Sequence, residues 1–245
     1  MISVIVNGAL GKMGSLACQA IQTHPDFVLV GALGRQDNLS AAIKNTQAQI
    51  VVDFTSAECA YANASTIIDH HVHPVIGTTG LTLDQINTLQ GRCQVKKLGG
   101  LIVPNFSISA LLMMHCATLC SAFHSEAEII ETHPPHKIDS PSGTAIKTAD
   151  LMATAKTTNP KSHPINRESI SGSRGASHHG INIHSIRAPG VITKQEVILS
   201  NTGETLTITH ECIDRNAFMP GLMLACQGVL KLKTLHYGLE KLLKF

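Results

Sequence analysis

Tryptophan is absent from this 245-residue sequence, aromatic residues make up only 3% of it, and charged residues only 15%. The core must therefore be built from aliphatic side chains, which are plentiful because 43% of the residues are hydrophobic. A formal net charge of +2 gives no extended positive field, so we expect no nucleic-acid partner and no membrane-surface partner.

Long apolar runs and paired cysteines are also missing. No stretch reaches the roughly 18 consecutive apolar residues of a membrane span, and the first residues lack the basic start and apolar stretch of a signal peptide. The seven cysteines are odd in number and include no CxxC pair, which favours reduced thiols over a disulfide framework. We therefore expect a soluble, cytoplasmic protein.

Short apolar runs alternate with helical segments over the first hundred residues. The pattern predicts strands at 2–6, 27–33, 50–54, 75–76 and 101–103, and helices at 12–23, 57–69 and 83–90. Such alternation predicts an α/β fold with an N-terminal Rossmann-type, doubly wound parallel sheet.

The pattern changes after Pro104. Helices are predicted at 108–123, 141–156 and 215–232, and a strand at 127–132, while residues 165–211 have strands and turns, with Asn201–Glu204 as a hairpin turn. This pattern predicts a C-terminal α+β domain with an open mixed sheet. We expect a dinucleotide-binding domain of residues 1–104 and 215–245, and a second domain of residues 105–214.

A glycine-rich turn, GALGKMG at residues 8–14, follows the first predicted strand and opens a helix. Glycines let the backbone turn tightly and approach a pyrophosphate at the helix N-terminus. Three further polar loops follow predicted strands, at 53–56, 77–80 and 104–107, and ligands of open parallel sheets bind at those ends. The arrangement predicts a nucleotide site that encloses one extended cofactor.

The end of the second predicted strand bears on the choice of cofactor. An acid there would bind the ribose 2′-hydroxyl of NAD, but Gly34 and Arg35 follow the strand and the first acid is Asp37. Arg35 can pair with a 2′-phosphate. We therefore expect NADPH as the preferred cofactor, with NADH as a second candidate.

The segment Glu131–Ala145, ETHPPHKIDSPSGTA, combines a rigid His/Lys turn with a helix start. Histidine and lysine can donate protons and bind carboxylates. Ser140 fits an N-cap with Pro141 at the first helical position, which would leave amides free to bind an anion. We expect a substrate with carboxylate groups.

Three other interpretations stay open on the residues alone. A metal site among the 14 histidines has no HExxH motif, cysteine pair or helical spacing to support it, so we predict none. A reductase with a cysteine nucleophile would need a polar setting that Cys116, Cys120 and Cys226 lack in their apolar runs. A non-catalytic nucleotide sensor would not need His133 and Lys137.

Taken together, the motifs GALGKMG, VVDFTS, VIGTTG, VPNFSIS, ETHPPHKIDSPSGTA, SIRAPG and ITHECIDRNAF resemble the 4-hydroxy-tetrahydrodipicolinate reductase (dihydrodipicolinate reductase) family. The resemblance implies NAD(P)H-dependent reduction of hydroxytetrahydrodipicolinate to tetrahydrodipicolinate with loss of water, in lysine and diaminopimelate biosynthesis. It also implies a homotetramer in which the domain of residues 105–214 binds substrate and tetramerises.

The resemblance further implies roles for individual residues. His133 is the expected proton donor and Lys137 its catalytic partner. The expected substrate-binding residues are His133, Pro134, Lys137, Gly143 and Thr144. The expected cofactor-binding residues are Gly8, Gly11, Lys12, Met13, Arg35, Phe54, Gly77, Thr78, Thr79, Pro104, Asn105 and Phe106.

The sequence departs from the family at two of its motifs. Pro134 stands where a second histidine often follows the first, so His136 is the candidate substitute. Gly34 stands where many members carry an acid, which disfavours NADH.

Overall fold

Residues 1–156 and 168–243 are described by a computed structural model, and they fall into two units. The first unit comprises Met1–Ile108 and Arg215–Phe245, and the second comprises Ser109–Asp214. Within the described ranges, every helix is too short or too polar to cross a membrane.

A six-stranded sheet forms the centre of the first unit. Its strands are β1 (Ile2–Asn7), β2 (Phe27–Leu33), β3 (Ile50–Asp53), β4 (His73–Ile76), β5 (Gly100–Ile102) and β11 (Leu235–Tyr237). All neighbours are parallel, in the order β11-β5-β4-β3-β1-β2. The predicted Rossmann-type parallel sheet is confirmed.

Helices connect these strands. They are α1 (Lys12–Thr23), α2 (Leu39–Thr46), α3 (Ala57–Asp69), α4 (Leu83–Lys96) and α7 (Met219–Val229), with 3-10 turns at Arg215–Phe218 and Leu239–Leu242. Aliphatic side chains such as Ile5, Val51, Ile67, Ile76 and Leu89 are fully buried between helices and sheet. Covering both faces in this way explains why the strands are apolar runs rather than alternating patterns.

The chain reverses its direction of winding between β1 and β3. From β1 the sheet extends to β2 on one side and to β3 on the other. The carboxyl ends of these two strands, Asn7 and Asp53, are register partners. Ligands of doubly wound sheets bind at such a switch point, so this edge of the sheet is the candidate position for a nucleotide.

The second unit contains a five-stranded mixed sheet. Its strands are β6 (Glu126–His133), β7 (Ala176–His178), β8 (Ile181–Arg187), β9 (Thr193–Asn201) and β10 (Glu204–Cys212), in the order β10-β9-β6-β8-β7. β6 and β8 are parallel and the other pairs antiparallel. Helices α5 (Ile108–Ser121) and α6 (Gly143–Ala155) belong to this unit apart from Ile108. The predicted mixed sheet is confirmed.

One face of the mixed sheet is buried and the other is partly open. Ile129, Glu131, Ile183 and Val197 are at most 2% exposed, whereas Ile186 on the strand β8 is 46% exposed. Alternation along each strand produces this contrast, because successive side chains point to opposite faces.

The sequence prediction missed or misplaced several elements. The helix α2 was expected only as a polar stretch, and the strand β11 was not expected at all. The helix α6 is capped by Ser142 and begins at Gly143, so the prediction of Ser140 as its cap was wrong by two residues. Residues 165–167 of the expected strand region lie outside the described residues.

Candidate active site

The glycine turn after β1 is shaped by backbone contacts that exclude side chains. Gly8 has a φ of +86°, and a Cβ there would lie 2.5 Å from the carbonyl oxygen of Phe54. A Cβ on Gly14 would lie 2.1 Å from the carbonyl oxygen of Gly8. Both positions therefore require glycine.

The N-terminus of α1 follows directly. Gly11 is its N-cap and provides no side-chain hydrogen bond, and the first turn contains no acid. Lys12 is exposed and Met13 half-buried at the first two helical positions. Uncapped amides and a lysine at a helix N-terminus are suited to bind a pyrophosphate.

A cavity of about 730 Å³ opens at this turn. Of the expected cofactor residues, Gly8, Gly11, Arg35 and Phe54 line it. It is also lined by Thr55 and Ser56 of the predicted loop 53–56, and by residues that were not predicted as ligand contacts: Asn7, Leu10, Gly34, Asp37, Leu39, Glu58, Cys59 and Asn63.

Asp53 connects the loops around this cavity. The side chain is completely buried and accepts hydrogen bonds from Asn7 Nδ2 at 3.0 Å, Asn63 Nδ2 at 2.7 Å and Thr55 Oγ1 at 2.6 Å. Thr78 Oγ1 donates to the same carboxylate at 3.2 Å. The carboxylate of Asp53 thus connects the ends of β1, β3 and β4, because its donors come from the residues at those ends. These hydrogen bonds satisfy the buried acid.

An aromatic pair lies beside the loop after β4. The rings of Phe54 and Phe106 pack edge to face with centroids 5.6 Å apart. A Cβ on Gly77 would lie 2.3 Å from the Phe54 ring and 2.9 Å from the Phe106 ring. Gly77 therefore lets the backbone contact both rings, and Phe54 and Phe106 join two loops that the sequence expected to meet.

The remaining expected cofactor residues flank this pair. Thr79 and Pro104 are exposed, and Asn105 is half-buried, with its side-chain oxygen accepting from the amide of Ser107 at 2.8 Å. None of these three lines the cavity described above. The same is true of Lys12, Met13, Gly77, Thr78 and Phe106.

Arg35 and Asp37 are neighbours on the cavity wall beyond β2. Both are exposed, and one Asp37 carboxylate oxygen accepts the amide hydrogen of Gly34 at 2.6 Å. Asp37, the first acid after the second strand, thus lines the same cavity as Arg35. One of its carboxylate oxygens already accepts the hydrogen bond from Gly34.

In the second unit, His133 ends β6 and makes hydrogen bonds through both ring nitrogens. Its Nδ1 lies 2.5 Å from Oε2 of Glu131, and its Nε2 lies 3.0 Å from Oγ1 of Thr193. An ionised carboxylate can only accept, so the pairing assigns a hydrogen to Nδ1. Nε2 is then the nitrogen that can exchange a proton, and the imidazole is held from both sides.

Glu131 is completely buried and paired with Arg187. The guanidinium donates to Oε2 at 3.0 Å and to Oε1 at 2.9 Å. Burial alone would raise the pKa of Glu131, but hydrogen bonds from Arg187, Ser185 and His133 outweigh it and leave the pKa below its ordinary value. The carboxylate is therefore ionised at neutral pH.

The start of α6 is joined to the same carboxylate. The amide of Ser142 donates to Oε1 of Glu131 at 3.3 Å, and Ser142 Oγ accepts from the amide of Ala145 at 3.2 Å. Within the described part of the chain, the amides of Gly143 and Thr144 have no hydrogen bond in the structure. These two amides at a helix N-terminus can bind an anion, and a Cβ on Gly143 would meet no atom within 4 Å.

Lys137 lies in the turn between β6 and α6. Its amide donates to the carbonyl of Pro134 at 3.1 Å, and its Nζ donates to Asp139 Oδ1 at 2.7 Å. That contact holds the pKa of Asp139 below its ordinary value. His136 is exposed in the same turn, and no described contact joins it to His133.

Sequence reasoning overlooked several residues around His133. Glu131 was named only as the start of the segment, while Arg187, Ser185 and Thr193 were not named as site residues at all. Glu131 and His133 are two apart on a strand and share a face, which was a usable signal. Arg187 and Thr193 come from other strands and become neighbours only through the register of the sheet.

The alternative with a cysteine nucleophile loses one of its three named candidates, Cys226. Burial raises the pKa of the Cys226 thiol to about 12 and that of the Cys93 thiol to about 11. Both thiols are therefore protonated and unreactive at neutral pH.

Comparisons with known proteins agree across the whole chain. Residues 2–106 match the model of the family "Dihydrodipicolinate reductase, N-terminus", and residues 108–243 match "Dihydrodipicolinate reductase, C-terminus". The 4-hydroxy-tetrahydrodipicolinate reductase of Legionella pneumophila (strain Paris) is 56% identical over 240 residues, covering 98% of both chains. That of Coxiella burnetii (strain Dugway 5J108-111) is 47% identical over 242 residues, covering 99% of both.

A solved structure is similar over the same length. The dipicolinate-bound dihydrodipicolinate reductase of Paenisporosarcina sp. TG-14 is 35% identical, has a TM-score of 0.90, and is matched over 99% of this chain and 100% of its own. The fold and the sites define a pyridine-nucleotide-binding oxidoreductase of two units. More specifically, the chain belongs to the dihydrodipicolinate reductase family.

Proposed function

We propose that this protein is a 4-hydroxy-tetrahydrodipicolinate reductase of lysine and diaminopimelate biosynthesis, with His133 as its proton donor. In this reaction hydroxytetrahydrodipicolinate loses water and gains a hydride and a proton, which gives tetrahydrodipicolinate. The observation that carries the proposal is the Glu131 carboxylate, which contacts both His133 and the start of α6. It thereby joins a proton donor to an anion site within the second unit.

The residues at the switch point of the first unit fit a dinucleotide. The Gly8 and Gly14 backbone leaves no room for side chains, the N-terminus of α1 is uncapped, and the cavity at the turn measures about 730 Å³. We propose that Gly8, Gly11, Lys12 and Met13 hold the pyrophosphate. When bound, the nicotinamide supplies the hydride.

The nicotinamide end is proposed to lie along the loops after β4 and β5. Gly77, Thr78 and Thr79 form the first loop, and Pro104, Asn105 and Phe106 form the second. The packing of Gly77 against the Phe54 and Phe106 rings supports this placement of the nicotinamide. Thr78 is further fixed by its bond to Asp53, so the loop needs little reordering to hold a flat amide-bearing ring.

We propose NADPH as the preferred cofactor and NADH as the weaker alternative. Arg35 on the cavity wall can pair with a 2′-phosphate. Asp37 lines the same cavity, but one of its oxygens is engaged by the Gly34 amide. The charge of Asp37 opposes a phosphate, so the preference depends on Arg35.

The proposed substrate is a small dicarboxylate. The amides of Gly143 and Thr144 would receive one carboxylate, because both belong to the first turn of α6, where the helix dipole favours negative charge. Dipicolinate, which the Paenisporosarcina enzyme binds, is itself a dicarboxylate. Pro134 stands in the turn between His133 and Lys137 and would contact substrate only through apolar atoms.

The proton step would use the geometry at His133. Glu131 holds the hydrogen on Nδ1, so the doubly protonated ring would donate its Nε2 proton to substrate as the hydride arrives and would become neutral. Thr193 contacts Nε2 at 3.0 Å and keeps the ring oriented until substrate replaces it. Lys137, held by Asp139, would assist by balancing the substrate's negative charge.

The assembly and location are also proposals. We propose a homotetramer in the cytoplasm that associates through the open face of the mixed sheet. Its support is the 46% exposure of Ile186 together with the half-buried Ile198, which the strand register puts on the same face, since apolar side chains on a sheet face favour association.

A coupled assay tests the proposed function. The upstream synthase supplies the unstable substrate, and oxidation of NADPH and NADH is followed separately by absorbance. We expect both cofactors to be oxidised only when the synthase is present. The KM for NADPH should be lower than that for NADH. Oxidation of neither cofactor while the synthase is demonstrably active would overturn the assignment.

A further inference from the structure

Two adjacent histidines in the second unit converge on one carboxylate away from His133. His178 ends the strand β7, and His179 occupies the turn that leads to β8. Asp150 lies on the helix α6. The distances to Asp150 Oδ1 are 2.7 Å from His178 Nε2 and 3.3 Å from His179 Nε2.

The backbone fixes both histidines. His178 and Ile181 are register partners across the hairpin, and the two residues between them have positive φ, 51° at His179 and 77° at Gly180. Two central residues with positive φ define a tight turn that matches the twist of its strands. The two rings pack edge to face with centroids 4.4 Å apart, so their relative placement is also constrained.

The spacing of the three ligand atoms suits a metal ion. One nitrogen from each histidine and a carboxylate oxygen all lie within 4.8 Å of one another. Metal–ligand bonds of about 2.0–2.1 Å in a tetrahedron put ligand atoms roughly 3.3 Å apart. Only small side-chain adjustments separate the observed distances from that value.

The ligand types select the class of ion. Imidazole nitrogens favour zinc, nickel and copper over magnesium and calcium, which prefer oxygen ligands. The side chains are 37%, 58% and 48% exposed for His178, His179 and Asp150 respectively. Water can therefore reach the ion and complete its coordination.

We propose that Asp150, His178 and His179 form a binding site for one divalent transition-metal ion of the zinc, nickel and copper class. The ion would clip α6 to the β7–β8 hairpin and stabilise the second unit by binding only its folded form. No local sequence motif indicates this site, because Asp150 and His178 are separated by 28 positions.

A second Asp-His-His grouping in the chain provides a matched control. Asp69, His70 and His71 are consecutive, and His71 has a φ of 57° that resembles that of His179. There, however, Asp69 pairs with Arg92 at 2.5 Å and His70 Nε2 contacts Ser40 Oγ at 2.7 Å. The same residue types are thus turned away from a common centre.

The experiment measures Zn²⁺ affinity of the untagged full chain by competition with a chromophoric chelator, and Co²⁺ binding by visible absorption. We expect one site in the unaltered protein and in His71→Ala, with a melting temperature raised by Zn²⁺. His178→Ala and Asp150→Asn should weaken this site by more than the roughly 10- to 100-fold that loss of an outer-shell partner costs.

Two results would overturn the proposal. One is unchanged Zn²⁺ affinity and stoichiometry in both His178→Ala and Asp150→Asn. The other is an equal loss in His71→Ala, which would indicate general binding by surface histidines. Asp150→Asn keeps the shape of the side chain on an exposed helix face, so its folding can be verified from the melting temperature without metal.

Discussion

Oε2 of Glu131 lies 2.5 Å from Nδ1 of His133, and the carboxylate that makes this contact is completely buried. The same carboxylate receives two hydrogen bonds from Arg187 and one from the amide of Ser142. It therefore fixes the orientation of the proposed proton donor and anchors the start of α6 at once.

Replacement of Glu131 by glutamine should destabilise the protein markedly. Removing one partner of a buried ion pair leaves the other charge uncompensated, at a cost of about 3–5 kcal/mol in the free energy of unfolding. Glu128→Gln is the matched control, because Glu128 lies on the same strand but is partly exposed with Arg174 and His184 as its partners. Its loss should cost less than about 1 kcal/mol. Urea unfolding of both variants measures the difference, and equal losses would contradict the special role of Glu131.

The contribution of Glu131 should also depend on pH in a defined direction. Its pKa is lowered on folding, so its stabilising effect is complete above its unfolded pKa of roughly 4.3. The effect is lost as the pH falls through the lower folded value. The difference in the free energy of unfolding between the unaltered protein and Glu131→Gln should therefore be independent of pH near neutrality. It should shrink as the solution becomes acidic. A difference that grows as the pH falls would refute the assignment.

Gly8→Ala should impair cofactor binding and stability together. The new Cβ would lie 2.5 Å from the Phe54 carbonyl oxygen at a φ of +86°, which forces the turn open. Gly91→Ala is the control, since Gly91 lies within α4 and an added Cβ meets nothing within 4 Å. That change should raise the free energy of unfolding by about 0.4–1 kcal/mol. Fluorescence titration with NADPH separates the two variants, and normal affinity in Gly8→Ala would argue against the turn as the pyrophosphate site.

Arg35→Ala should raise the KM for NADPH and leave that for NADH nearly unchanged. The reason is that only NADPH carries the 2′-phosphate that the guanidinium would bind. Arg92→Ala serves as the control, because Arg92 pairs with Asp69 on the helices of the same unit and does not line the cavity. Steady-state kinetics with both cofactors test this, and equal effects on the two would rule out the 2′-phosphate contact.

Much of the fold could be predicted from local patterns. The strands β1 and β3 are mostly buried and consist of continuous apolar runs, and the hairpin at Asn201–Glu204 carries its own turn residues. The helix α2 was missed because its apolar stripe is only Leu39 and Ile43. The strand β11 has three residues, too few for any periodicity to show.

In the candidate site, too, the residues in local motifs could be predicted and those brought together by strand pairing could not. Contiguous sequence motifs contain Gly8, His133 and the start of α6, so these residues could be predicted as functional. Arg187 and Thr193 reach His133 and Glu131 only after β8 and β9 have paired with β6. Their roles depend on strand register, which no local pattern specifies.

The central claim is that His133 donates the proton, and the most direct test compares turnover with cofactor affinity in His133→Ala and Lys137→Ala. We expect His133→Ala to lower kcat by about 100-fold or more, and Lys137→Ala to lower it substantially. The dissociation constant for NADPH should stay within about threefold, since both residues belong to the second unit. A folded His133→Ala variant that turns over at nearly the normal rate would contradict the account.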